Sequence, residues 1–161
     1  MDETGIRIEG ANGYHWVFLS NQAVVHEVQH SRAAQVVRDV MGDHRPKIWL
    51  SDGYSAQQKH GAHHQTCLAH LVRDVAYGVQ ASDDKLPFRL KLWLDRAFAL
   101  SSEVATYAAS TLKRKKSELE RSLGELVSSP SACPIAEGLR GKMARASPKL
   151  LTFLDFPGEV D

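Results

Sequence analysis

Two aspartates stand at positions where carboxylates could do chemistry together. Asp2 opens the run Asp2-Glu3-Thr4-Gly5, and Asp52 follows the apolar segment Ile48-Trp49-Leu50 within Ser51-Asp52-Gly53-Tyr54. Magnesium prefers oxygen ligands in near-octahedral geometry. Two such ions about 3.5 to 4 Å apart can clamp the attacking and leaving oxygens of an in-line displacement at phosphorus. In that chemistry Asp2 bridges both ions, Asp52 binds one, and a third acid from a later helix holds the other.

The elements between the two acids have to bring them to one sheet edge. Ile6 and Ile8 alternate with Arg7 and Glu9, the pattern of a strand with one wet face. Gly10-Ala11-Asn12-Gly13 supplies a turn, and Asn-Gly favours positive φ, so Tyr14 to Ser20 is expected to return antiparallel. A second turn at Ser20-Asn21-Gln22 leads to a third strand, Val24 to Val28. Ser31 is placed to cap a helix with Ala33, Val36, Val37, Val40 and Met41 at helical spacing, and Gly42 to close it. Lys47 to Ser51 then forms a strand buried on both faces, with Asp52 at its carboxyl end, where open α/β sheets bind ligands.

The second half reads as helices. Leu68, Leu71, Val72, Val75 and Val79 share one helical face, and Leu86 to Leu100 carries Trp93 and Phe98 behind Pro87 in a first turn. A long helix is expected over Val104 to Val127, with Leu112, Leu119 and Leu126 seven apart, in the manner of a helical hairpin arm. Pro134 opens a short helix, and Ser147-Pro148 introduces another with Leu150, Leu151, Phe153 and Leu154.

Composition bounds the class. The length of 161 residues suits one domain, the net charge of +1 favours no particular partner, and no stretch approaches the roughly 20 apolar residues of a membrane span. Met1-Asp2-Glu3 has no signal-peptide character, so a cytoplasmic location is expected. Cys67 and Cys133 are too few for a disulfide scaffold, and reduced thiols are expected.

Three strands, a helix and a fourth strand, with acids on the first and fourth strands, give the order of a ribonuclease H-like fold. The fold class expected is α/β: a ribonuclease H-like mixed sheet, incomplete, with an α-helical insertion. Several blocks then carry a specific resemblance. They are Asp2 to Ile8, Gly13 to Phe18, Leu50 to Tyr54, the run His64-Gln65-Thr66-Cys67-Leu68-Ala69-His70-Leu71-Val72-Arg73-Asp74, and Phe153-Leu154-Asp155-Phe156-Pro157-Gly158. In this order the chain resembles a transposase of the insertion-sequence 66 family over nearly its whole length.

The resemblance implies metal-dependent DNA cleavage and strand transfer during transposition, by a catalytic core of the Asp-Asp-Glu type that uses two Mg2+ ions. Asp2 and Asp52 match its first two acidic positions as catalytic and metal-binding residues. It implies DNA as partner, both transposon ends and target, no membrane, and a homo-oligomer in the intact protein. The division expected is 1–80 as core, 81–147 as helical insertion and 148–161 as the start of a truncated return to the core. The family's third acid lies in an Asn-Asn-x-x-Glu-Arg motif that has no match here, and Glu159 precedes its place. The resemblance therefore implies an internal fragment or a decayed gene copy, inactive alone. The rival expectation is a non-catalytic DNA- or protein-binding module that retains the fold.

Other motifs carry blander readings. Glu3 and Asp74 read as surface charges, with a supporting role open to Glu3. Cys67 and His70 have a zinc-like Cys-x-x-His spacing, with His60, His63 and His64 nearby, but zinc needs four donors and no second spaced pair appears. A helix start with a buried thiol and a hydrogen-bonded imidazole is expected instead. Lys113-Arg114-Lys115-Lys116 could meet DNA phosphates, yet a solvated helix face is the simpler expectation. The leucine ladder reads as intramolecular core.

Overall fold

The computed structural model describes residues 1–159 and divides into two compact units, Met1–His64 and Gln65–Asp161. Val160 and the late acid Asp161 lie outside the described residues.

Unit 1 begins with three antiparallel strands in the order β1 (Asp2–Ile8), β2 (Ala11–Leu19) and β3 (Val24–Gln29). Its first turn is Glu9-Gly10, not Asn12-Gly13: both Glu9 and Gly10 have positive φ, and Ile8 pairs directly with Ala11. A two-residue loop with positive φ at both positions matches the twist of the strands it joins. Arg7 holds the corner by donating to Gly10 O and Asn12 Oδ1 at 3.1 and 2.9 Å. Asn12 and Gly13 therefore lie inside β2. The reason for Gly13 is space, because a Cβ there would fall 2.2 Å from Ile8 Cδ1.

Directly opposed residues share a sheet face. Trp16 and Phe18 of β2 are buried on one face, where α1 (Ala34–Met41) covers them with Val36 and Val37, and Trp49 joins the same core. Ser31 is not the helix cap. Ala33 takes that position, and Ser31 Oγ instead accepts from Ala33 N at 3.1 Å. Gly42 closes the helix at φ 53°, donating its N–H to Arg38 O, as expected.

After α1 come β4 (Ile48–Ser51), a 3-10 turn (Ser55–Gln57) and β5 (His63–Thr66). β4 and β5 form a separate two-stranded sheet, so the two acids do not stand on one continuous sheet. β4 is not buried on both faces either: Trp49 and Ser51 are buried, whereas Ile48 and Leu50 are half-buried. Just before β1, the Met1 amine donates to Leu50 O of β4 at 2.8 Å.

Unit 2 packs four helices: α2 (Leu68–Ala81), α3 (Lys85–Glu103), α4 (Ala109–Val127) and α5 (Pro134–Ala146). Its core includes Leu71, Val75, Leu90, Trp93, Leu94, Leu119, Leu123 and Met143. The buried face of α2 runs through Leu68, Leu71, Val75 and Gly78, so Val72 and Val79 point outward; Phe98 of α3 is also exposed. Gly78 stands at the helix contact, where a Cβ would meet Leu139 and Pro87.

The long helix expected from Val104 is interrupted. Val104–Thr106 is a 3-10 turn, Tyr107 and Ala108 are extended, and α4 starts at Ala109. It lies against α3 and α5 and is not a projecting arm. Leu112, Leu119 and Leu123 are its buried residues, in keeping with an intramolecular core. Asp84 caps α3 by accepting from Leu86 N at 2.7 Å, and Ser131 Oγ donates to its second oxygen at 2.5 Å. Past α5, two 3-10 turns (Ser147–Lys149 and Thr152–Leu154) replace the expected helix, but Leu150, Leu151, Phe153 and Leu154 are all buried.

Candidate functional site

The Met1–Leu50 bond places the start of β1 beside the end of β4, and so brings Asp2 to the strand end that Asp52 follows. Asp52 is half-buried in a tight turn, where its Oδ1 accepts from Tyr54 N at 2.7 Å and its carbonyl accepts from Gln58 Nε2 at 3.0 Å. An Asp that bonds the backbone two residues on is a turn former. The same bond leaves Oδ2 for another partner and fixes the carboxylate's direction.

Asp2 is exposed, and its Oδ1 accepts from Glu3 N at 2.9 Å. It opposes Val17, whereas Glu3 opposes Trp16, so successive acids face opposite sides of the sheet. The side chain of Glu3 is only 2% exposed. Its Oε1 accepts from Arg32 Nε at 2.8 Å and from Arg32 Nη2, and its Oε2 accepts from Gln57 Nε2. Burial pushes the Glu3 carboxyl above its ordinary range, the Arg32 guanidinium pulls it back, and the charges of Asp52 and Asp2 push it up again. The charges of Asp2 and Asp52 are thus both felt at Glu3.

The surrounding turn is well held. Trp49 Nε1 donates to Gln57 O at 2.8 Å, and Arg32 lies 4.0 Å above the Tyr54 ring centroid. Gly61 lets the returning chain approach β4: a Cβ there would lie 2.7 Å from Trp49 Cβ and 3.1 Å from its backbone N. Neither atom can swing away. Gly61→Ala is therefore expected to destabilise unit 1 by about 1–3 kcal/mol, the usual cost of overpacking. A thermal melt following unit 1 checks this, and an unchanged midpoint would refute it.

Among the described residues, no group of three or more His, Cys, Asp or Glu side chains could hold a metal ion. Asp2 and Asp52 provide two carboxylates without a third donor. This fits magnesium's common use of one or two carboxylates completed by water and substrate phosphate. The Cys67 and His70 pair gains no further metal donors, and both cysteines are free thiols. His60 is engaged with Ala56 O at 2.8 Å.

The basic run of α4 is largely paired. Arg114 bonds Glu118 at 2.7 Å, Lys116 bonds Asp155 at 2.5 Å, and Lys115 sits 4.7 Å from the Tyr107 ring centroid. Asp74, expected as a helix-surface charge, pairs with Lys142.

Arg32 and Gln57 were not marked by the sequence pattern, and Tyr54 only as the end of the Asp52 motif. The signal available was the alternation of β1: an acid opposite a buried tryptophan must find a partner.

The chain is thus a mixed α/β protein whose first unit gathers acids at a strand end and whose second unit is helical. The model of the Transposase IS66 family matches residues 1–157, nearly the whole chain, and the protein belongs to that family. Membership implies interaction with DNA. No curated protein and no solved structure matches the chain. Among the described residues, no helix is long and apolar enough to cross a membrane.

Proposed function

We propose that the chain contributes the catalytic-core acids of a DNA transposase, which cuts and rejoins phosphodiesters during movement of an insertion sequence. The observation that carries this reading is the Met1–Leu50 bond, which brings Asp2 to the strand end followed by Asp52. The strand order β1-β2-β3, followed by α1 and by β4, whose Leu50 O accepts from the Met1 amine, supports a ribonuclease H-like core. In this account the helices within 81–147 form the insertion.

Asp2 and Asp52 would hold Mg2+. When bound, the ion supplies charge stabilisation at the phosphoryl oxygens and favours deprotonation of the attacking water or 3′-hydroxyl. The protein's own part is orientation: the Tyr54 N–H directs the Asp52 carboxylate, and β1 presents Asp2. Among the described residues no third acid joins this pair in a group able to hold a metal ion, and neither Glu3 nor Glu159 is assigned the role.

Mn2+ titration of the purified chain tests this reading. Asp52→Asn and Asp2→Asn are each expected to weaken Mn2+ binding at least about tenfold, because each removes a charged ligand. Equal binding by wild type and the double variant would overturn the metal assignment. With end-labelled DNA, the chain alone is expected to produce no cleavage or joining. Mn2+-dependent turnover abolished by Asp52→Asn would overturn the two-acid account while keeping the transposase chemistry.

The two-carboxylate arrangement also favours a second reading, a non-catalytic DNA- or protein-binding module on the same fold. Salt-dependent DNA binding that Asp52→Asn leaves unchanged, without metal-dependent turnover, would select it.

A further inference from the structure

We propose that Glu3 is a positioning residue that braces the Asp52 turn against β1. The inference rests on the proposed metal role of Asp2 and Asp52, and it concerns what holds those two acids at a fixed separation.

Glu3 is poorly placed to be a ligand itself. Each carboxylate oxygen already accepts from a neighbouring side chain, and the side chain is 2% exposed. A metal could bind it only after displacing Arg32 or Gln57.

Its partners instead lead to Asp52 by two routes. One passes through Arg32, whose guanidinium lies on the Tyr54 ring and whose carbonyl accepts from Tyr54 Oη at 3.1 Å. The Tyr54 backbone N–H then donates to Asp52 Oδ1. The other route passes through Gln57, in the 3-10 turn that closes the Asp52 loop. Gln57 is fully buried, and its carbonyl accepts from Trp49 Nε1.

The side-chain Oε1 of Gln57 is buried without a hydrogen-bond partner. Its amide is therefore oriented through Nε2, which donates to Glu3. Reversing that amide would set two oxygens against each other. Glu3 thus fixes the side chain of Gln57 and the plane of Arg32 at once, while its adjacent residue is Asp2. Moving this carboxylate would loosen both supports of the Asp52 turn.

Amide hydrogen exchange at Tyr54 in the metal-free chain, followed by Mn2+ titration, tests the assignment. Glu3→Gln keeps the shape and removes the charge. It is expected to lower Tyr54 amide protection about tenfold and to weaken Mn2+ binding by about 10- to 100-fold, the range found when groups orienting a metal ligand are removed. Amides in α3 should be unchanged.

Arg32→Lys retains the charge but loses the planar fork, and should produce a smaller loss at both readouts. This milder variant decides the matter if Glu3→Gln fails to fold. Unchanged Tyr54 protection in Glu3→Gln, or in Arg32→Lys where Glu3→Gln does not fold, would overturn the bracing role. If Glu3→Gln loosens Tyr54 but wild type shows no Asp52-dependent Mn2+ binding, the brace stands and the metal reading fails.

Discussion

Trp93→Ala is expected to destabilise unit 2 by about 3–5 kcal/mol, the range for truncating a buried aromatic residue. Trp93 is 2% exposed within the core built by α2 to α5, and its Nε1 donates to Leu119 O at 2.9 Å. Most of the loss should come from the vacated volume. Leu119 O also accepts from Ser122 Oγ at 3.0 Å, so removal of the indole N–H does not leave that carbonyl unpaired.

Trp93→Phe separates the two effects. It retains an aromatic ring and should cost about 1–2 kcal/mol, from lost volume and one lost hydrogen bond. For a unit of this size, Trp93→Ala corresponds to a fall in melting temperature of more than about 12 °C. Circular dichroism, which follows the helices, measures it directly. A loss below about 2 kcal/mol for the alanine variant would mean that the neighbouring leucines close the space.

The second large effect is expected at Gln65. This buried side chain donates from Nε2 to Thr66 O at 2.7 Å and to Leu150 O at 2.9 Å, while Oε1 accepts from Phe153 N at 3.0 Å. Leucine has similar bulk and makes none of these bonds. Each buried polar group left without a partner costs about 1–3 kcal/mol. Gln65→Leu should therefore destabilise unit 2 by about 2–5 kcal/mol despite increasing the apolar content.

The exchange rate of the Phe153 amide identifies the cause. It should rise by more than the global destabilisation explains, whereas amides in the middle of α3 should follow the global change. If Phe153 exchanges only with the rest of the unit, the side-chain clamp is not what holds the terminal turns.

The Gln65 clamp also gives physical meaning to two blocks that carry the family resemblance. His64 to Asp74 and Phe153 to Gly158 are distant in sequence, yet Gln65 ties the start of the first to the start of the second. A buried amide and the backbone groups that satisfy it join the two blocks.

The sequence pattern was strongest where one periodicity dominated. The three strands, the helix closed by Gly42 and the leucines of α4 all follow from spacing, and Asp52 was correctly set after a short apolar strand. It misled where two features competed. Asn12-Gly13 has turn chemistry, but the hairpin closes at Glu9-Gly10 because that choice permits the observed pairing of Ile8 with Ala11. Val72 and Val79 were placed on the apolar face of α2 by their spacing, although Gly78 is the residue buried there and both valines are exposed.

The site shows the same contrast. Asp2 and Asp52 were marked as candidates by their type and neighbourhood. Glu3 was read as a surface charge with a supporting role left open, and the surface reading is corrected by a side chain only 2% exposed; its burial depends on the register that places it opposite Trp16 and on partners 29 and 54 residues away. Gln57 carries no pattern of its own. Its role arises after the turn beyond β4 has buried it.

The clamp from Gln65 to Phe153 also has a consequence during synthesis. Its two ends are 88 residues apart. At translation rates of about 5 to 20 residues per second, roughly 4 to 18 s pass between making the amide and making its last partner. During that interval α2, α3 and α4 can form, but Leu150, Leu151, Phe153 and Leu154 have not yet reached the core they complete. The nascent chain carries an unfinished apolar surface over that time, and its need for chaperone protection should fall sharply once Phe153 has emerged.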